Sequence, residues 1–382
     1  MPRSTSLFSL SALTRAYHRN LKVLARATRP PRARPAAAKA LAKVAAKPRV
    51  AAAVVRKRPA PRKPALARGE WVGGVAPGPA GARRYHLFVP PGLAVRPGEK
   101  LPLLVMLHGC GQTGRDLAVI SRMNRLAARE RFLVLYPEQE RVANAHGCWN
   151  WFERRSGKAD AEAATLLAAV DKVALRYPVD LGRVAVAGLS AGASMAVVMA
   201  ALYPLRFCAV VMHSGVAPGT AESSGTALVA MQGRREAFLP DPPPADALAA
   251  ASGTAAIAAT AAGARAATAA RRLPPLLVVH GDADGLVSLR NATAAAALWA
   301  GALDATPGPV RTLQRGQRHA MRVTDFKARG RTVVTLREVH GLAHAWSGGV
   351  ASLPYSDPDG PDASALLWAF VARQFQGQKA AV

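Results

Sequence analysis

The pentapeptide Gly188-Leu189-Ser190-Ala191-Gly192 places a serine between two glycines. The apolar run 184–187 before it reads as a strand, and 191–202 after it reads as a helix. At a strand-to-helix turn, G-x-S-x-G bends the serine backbone sharply and lifts its hydroxyl above the sheet. The helix N-terminus supplies free N–H groups and a dipole that favour developing negative charge. Alone, such a pentapeptide is also an ordinary Gly-rich turn; the strand before and the helix after favour a nucleophile.

A serine hydroxyl needs a general base, and the base needs an acid to fix its tautomer. Further along, the strand-like run 276–279 leads into His280-Gly281-Asp282-Ala283-Asp284-Gly285. Asp284, in the loop past the strand end, is the favoured acid; Asp282 is its competitor, with a plain turn-forming role as the alternative. The run 333–339 leads into His340-Gly341-Leu342-Ala343-His344. His344 is the favoured base, with His340, nearer the strand, as the alternative. The remaining histidines read as structural or surface residues. An oxyanion hole needs two backbone donors. Ala191, just after the nucleophile, offers one. The loop His108-Gly109-Cys110-Gly111-Gln112 offers the other, at Cys110, while the His108 side chain could hold that loop. Trp149, Trp151 and Trp346 are candidates for a substrate-facing wall, with core packing as the equal alternative. No zinc-spaced Cys/His cluster and no phosphate-binding loop is present, so the chemistry requires no metal and no organic cofactor.

These residues need a scaffold that delivers loops to one edge. Runs at 85–89, 103–107, 132–136, 184–187, 208–212, 276–279 and 333–339 read as strands. Most are continuously apolar, which suits strands buried on both faces of a parallel sheet. Helical patterns at 116–130, 160–177, 191–202, 289–300 and 363–375 alternate with them. Strand and helix in alternation predict an α/β fold.

The motifs LHGCGQT (107–113), CWNWF (148–152), YPVDLGRVAVAGLSAGASMA (177–196), HGDADGLV (280–287) and GLAHAWSGG (341–349) together resemble the poly(3-hydroxybutyrate) depolymerase family of esterases. That family reaches toward feruloyl and acetylxylan esterases. The resemblance spans about 69–375. It implies an α/β-hydrolase fold, carboxylic-ester hydrolysis, and a triad of Ser190, Asp284 and His344. It also implies a disulfide between Cys110 and Cys148; Cys208, in an apolar strand, reads as a buried free thiol. The chain departs from the family pattern at Ala193, where a second glycine is usual, and in the Ala-rich stretch 240–272, read as a surface insertion. Seven residues follow Phe375, too few for a polymer-binding domain, which speaks against attack on crystalline polymer.

The chain has 382 residues, with 51 Lys+Arg against 23 Asp+Glu and a net charge of +28. The first 68 residues hold 18 of the basic residues and no acidic one, so the remainder carries only +10. Residues 1–68 are rich in Ala, Pro, Lys and Arg and are expected to be a disordered, solvated arm. Binding of this arm to an anionic surface or nucleic acid is the alternative, non-enzymatic function. No apolar run is long enough for a transmembrane helix. Basic residues interrupt the leader region, so no secretory signal is evident. The family resemblance and a disulfide point to an extracellular enzyme; the missing signal points instead to the cytoplasm, in association with a storage granule. A peptide bond or plant cell-wall ester remains an alternative substrate for the same triad.

Overall fold

The computed structural model describes residues 68–93, 95–241 and 273–379. Almost all of the basic arm, and the insertion from residue 242 to 272, lie outside the described residues.

The strands, in chain order, are β1 (Glu70–Ala76), β2 (Arg83–Val89), β3 (Leu101–Leu107), β4 (Leu133–Pro137), β5 (Val179–Leu189), β6 (Ala209–His213), β7 (Leu276–Gly281), β8 (Thr306–Pro307), β9 (Arg311–Leu313), β10 (Met321–Ala328), β11 (Arg331–Val339), β12 (Trp346–Ser347) and β13 (Ser356–Asp357). The α-helices are α1 (Gly114–Ser121), α2 (Met123–Glu130), α3 (Lys158–Ala174), α4 (Ala191–Leu202), α5 (Ser224–Met231), α6 (Arg290–Ala302) and α7 (Ala363–Lys379). One sheet runs β1-β2-β4-β3-β5-β6-β7-β11-β10-β8, with β9 also on β10. The six central strands, β4 to β11 in that order, are mutually parallel. Antiparallel strands flank them on both sides. Among the described residues this is the α/β-hydrolase architecture, a mostly parallel sheet between helices.

Two cores explain the apolar runs. In β5, Val184 and Val186 point to one face, while Ala185, Ala187 and Leu189 point to the other. In β7, Leu276 and Val278 oppose Leu277 and Val279 in the same way. Successive side chains alternate across a strand, so a strand covered on both faces is apolar throughout. Helices α3, α4 and α6 cover the first face; α1, α2 and α7 cover the second.

The structure corrects the expected single helix at 116–130. It breaks at Arg122, whose backbone is left-handed (φ 55°) and whose guanidinium donates to the Gly348 carbonyl. A distant loop thus holds the chain in a conformation that ends one helix and starts the next. Strands β1 and β10 and helix α5 lie outside the expected elements. The first of these, EWVGGVA, carries two glycines and takes its form from seven paired positions with β2.

Candidate active site

Ser190 lies between β5 and α4 with φ 57° and ψ −121°, a region that non-glycine residues seldom enter. The surrounding packing imposes it. A Cβ on Gly192 would stand 2.1 Å from the Leu107 carbonyl oxygen, and one on Gly188 would stand 2.3 Å from the Gly192 carbonyl carbon. Only glycine permits strand, turn and helix to approach this closely. The Ser190 N–H donates to the His213 carbonyl at 2.9 Å, and its own carbonyl accepts from the Ser194 hydroxyl at 3.1 Å.

The hydroxyl faces an imidazole. His344 Nε2 stands 2.9 Å from Ser190 Oγ, and His344 Nδ1 stands 2.7 Å from Asp284 Oδ2. Asp284 Oδ1 accepts the backbone N–H groups of Leu286 and Val287, each at 2.9 Å. His280 Nε2 approaches Oδ2 at 3.4 Å. Burial alone would raise the Asp284 carboxyl pKa, but the hydrogen bonds from His280 and His344 outweigh it and hold the group well below the usual range. It is therefore a fixed anion that can orient His344 and stabilise its protonated form.

The two competitors pair with each other instead. His340 Nδ1 meets Asp282 Oδ2 at 2.8 Å on the surface, and Asp282 Oδ1 accepts the Gly341 N–H at 2.7 Å. These contacts join the loops that carry Asp284 and His344. A Cβ on Gly281 would fall 1.8 Å from the Leu342 carbonyl oxygen, so the loops also meet backbone to backbone.

Across from Ser190 runs the loop from His108 to Thr113. Its Gly109 N–H is taken by Gln112 Oε1 at 2.9 Å, and the Gly111 N–H faces the Gly147 carbonyl at 3.4 Å. The Cys110 N–H has no acceptor among the described residues. Ala191, as the first residue of α4, has no intrahelical acceptor either. Cys110 and Cys148 are joined by a disulfide, tying this loop to the CWNW segment. Cys208 is a buried free thiol whose pKa burial pushes up to about 12.

The three tryptophans expected at a substrate wall are packed inward. Trp149 is fully buried and donates Nε1–H to the His108 carbonyl at 2.9 Å. Trp346 is buried against the His213 ring, with centroids 4.9 Å apart, and donates to Ser364 Oγ at 3.2 Å. Trp151 is 7% exposed and sits edge-on to Phe152. The first two reach the site indirectly, by bracing the His108 loop and His213.

Sequence reasoning missed the polar base beneath these loops. Glu162 of α3 is fully buried. Its Oε1 faces Arg83 at 3.1 Å and Gln139 at 2.7 Å, and its Oε2 accepts the Asn150 N–H at 2.6 Å. Gln139 also donates to the Cys148 carbonyl at 2.8 Å, and its N–H donates to His108 Nε2 at 3.0 Å. A glutamate on the apolar face of a helical pattern was the available signal.

His108 and His213 are buried and neutral. Each accepts a backbone N–H at Nε2, from Gln139 and Ser347 respectively. Burial lowers their pKa values, to about 4 for His108 and about 3 for His213. The unfolded chain takes up these protons below about pH 6.5. The stability tied to the two neutral rings is therefore complete above about 6.5 and is lost as pH falls toward 4 and 3. On unfolding the two rings take up about two protons in this window and Glu138, whose folded carboxyl is raised to about 7, releases about one, so a net uptake of about one proton should make melting temperatures decline as pH falls. An unchanged melting temperature between about pH 6.5 and 4.5 would contradict the assignment.

The family model described as "Esterase PHB depolymerase" matches residues 83–312, well over half of the chain. The chain belongs to this esterase family. Among relatives within or near the family, poly(3-hydroxyalkanoate) depolymerase C of Paucimonas lemoignei is 39% identical over 115 residues, 30% of this chain and 28% of that protein. Feruloyl esterase B of Neurospora crassa is 28% identical over 222 residues, 58% of this chain and 70% of that protein. The match thus spans less than a third of the depolymerase. The acetyl xylan esterase structure from Aspergillus awamori superposes with a TM-score of 0.54 at 20% identity, covering 73% of this chain and 94% of that one. That likeness shows a shared fold. The family's match begins at β2 and takes in the elbow and the Asp284 loop, while His344 lies beyond its end.

Proposed function

We propose that the protein is a serine carboxylic-ester hydrolase working through an acyl-enzyme on Ser190. The observation that carries this reading is the continuous chain Ser190–His344–Asp284, at 2.9 and 2.7 Å, on a strained strand-to-helix turn. In the reading, Ser190 Oγ attacks the ester carbonyl as His344 Nε2 takes its proton. Asp284 holds Nδ1 protonated and steadies the imidazolium. The N–H groups of Cys110 and Ala191 receive the oxyanion. His344 then protonates the departing alcohol, and a water activated by the same imidazole releases the acid. Each step uses side chains and backbone donors alone.

Family membership supports short 3-hydroxyalkanoate esters, including oligomers or polymer of 3-hydroxybutyrate, as the substrate. The greater coverage of feruloyl esterase B supports a second reading, an aryl or acetyl ester of the plant cell wall. A parallel assay on 3-hydroxybutyrate oligomers, methyl ferulate and acetylated xylan separates them. The first reading expects the highest kcat/KM on the oligomers, and a higher value on methyl ferulate would replace it.

The disulfide supports an oxidising, extracellular setting. No described helix is long and apolar enough to cross a membrane. In this reading the catalytic region is 69–382, residues 1–68 are a basic segment preceding it in sequence, and the Ala-rich stretch 240–272 belongs to the catalytic region's sequence. The arm's charge, with 18 basic and no acidic residues, supports attachment to an anionic surface. Deleting residues 1–68 should leave ester turnover intact and remove salt-sensitive retention on a DNA or anionic-vesicle column. Loss of turnover on deletion would instead make the arm part of the catalytic region.

A further inference from the structure

We propose that a cavity on the far side of the oxyanion loop is a subsite for a carboxylate at the end of an ester chain. The inference rests on the oligoester reading above.

The cavity has a volume of about 760 Å³. Its walls come from β1 and β2, from the start of α1, and from the loop after β4. Gly111, Gln112 and Thr113 form the side nearest the site. The same loop separates the cavity from Ser190: Gly109 lies against the Leu189 carbonyl, two residues before the cavity begins. In the proposal, one extended molecule presents an ester at Ser190 and fills the cavity across the loop.

Charge identifies what fits. Arg84, Arg115 and Arg141 all line the cavity. Arg84 is paired with Glu140 at 2.7 Å. Arg115 lies over the Trp71 ring, 5.2 Å from its centroid, and has no carboxylate partner among the described residues; neither does Arg141. The other acidic wall residue is Glu138. Its Oε1 accepts the Gly114 N–H at 2.9 Å and stands 3.6 Å from His86 Nε2; Oε2 stands 3.9 Å from His108 Nε2. Asp116, Arg84 and Arg115 also act on it. Burial raises its pKa to about 7, so below neutrality it is largely uncharged. With Glu138 neutral, the exposed Arg115 and Arg141 together with the Arg84–Glu140 pair leave the cavity wall net positive, a wall set for an anion.

The proposed reaction supplies that anion. Cutting an ester chain leaves a free carboxylate on the acyl fragment. A carboxylate-ended oligomer with its end in this cavity places that end on the alcohol fragment of the next cut. The enzyme should therefore prefer chains with free carboxylate ends.

The test compares kcat/KM for a 3-hydroxybutyrate tetramer with a free carboxylate and for the same tetramer as its methyl ester, from about pH 6 to about pH 8, on either side of the Glu138 midpoint near 7. The free acid should be favoured about tenfold at the acidic end, the order expected of a charge-assisted contact. The preference should weaken as pH rises through about 7 and Glu138 gains charge, and Glu138→Gln should remove that weakening. The double variant Arg115→Gln/Arg141→Ala should bring the ratio close to one. Because the readout is a ratio, a general loss of activity cancels. Equal rates on acid and methyl ester, or a preference that survives the double variant, would overturn the subsite alone. No turnover of either tetramer, with p-nitrophenyl butyrate still hydrolysed, would remove the oligoester reading and the subsite with it.

Discussion

Replacing Ser190 by Ala should lower kcat on p-nitrophenyl butyrate by about four to six orders of magnitude. His344 Nε2 reaches this hydroxyl at 2.9 Å. Without it no acyl-enzyme forms. In the proposed mechanism the Cys110 and Ala191 N–H groups stay in place and should leave a small residual rate above water. The fold should be untouched, because the φ of 57° is imposed by the close contacts of Gly188 and Gly192 rather than by the hydroxyl. Stability is expected to change by less than about 1 kcal/mol. Comparable rates in both proteins would leave the geometry without a function.

The largest effect on stability should come from Glu162→Ala. Glu162 and Arg83 are 0% and 1% exposed, and the carboxylate also binds Gln139 and Asn150. Removing it strands a buried guanidinium, at a cost of about 3–5 kcal/mol. For a domain of this size that lowers the melting temperature by about 10 °C. Turnover should fall as well, because Gln139 carries the Cys148 carbonyl and His108 Nε2 and so sets the oxyanion loop. Glu162→Gln keeps one acceptor oxygen and should be intermediate in both. A fully stable Glu162→Ala protein would mean that the loop has another foundation. Differential scanning calorimetry and steady-state kinetics on the three proteins decide the matter.

The central strands were readable because burial on both faces leaves only apolar residues in them. Residues 184–187 and 276–279 are such runs, and both lie within parallel strands. The candidates Ser190, Asp284 and His344 were readable because each follows a legible strand. The structure brings Ser190, Asp284 and His344 together, and it pairs the competitors Asp282 and His340 with one another. What escaped the sequence depends on partners far along the chain. Arg122 breaks a continuous helical pattern through a bond to Gly348, 226 residues away. Strand β10 lies one strand in from the sheet's edge, and its pairing with β11 on one side and with β8 and β9 on the other defines it. Trp149 and Trp346 looked like substrate contacts from their neighbours in sequence. Their indole N–H groups find partners at His108 and Ser364 inside the protein. Glu162 carried a weak signal, a charge among alanines and leucines, whose meaning depends on Arg83 and Gln139.

The most direct test is covalent. The full chain should be treated with an alkyl fluorophosphonate, which phosphonylates a serine only where a base activates it and donors receive the negative oxygen. Peptide mass analysis should find one adduct, on Ser190, formed rapidly in the native chain and suppressed in His344→Ala. A native chain left unmodified under conditions that label a known serine esterase, or modified at another serine while Ser190 stays free, would contradict the account.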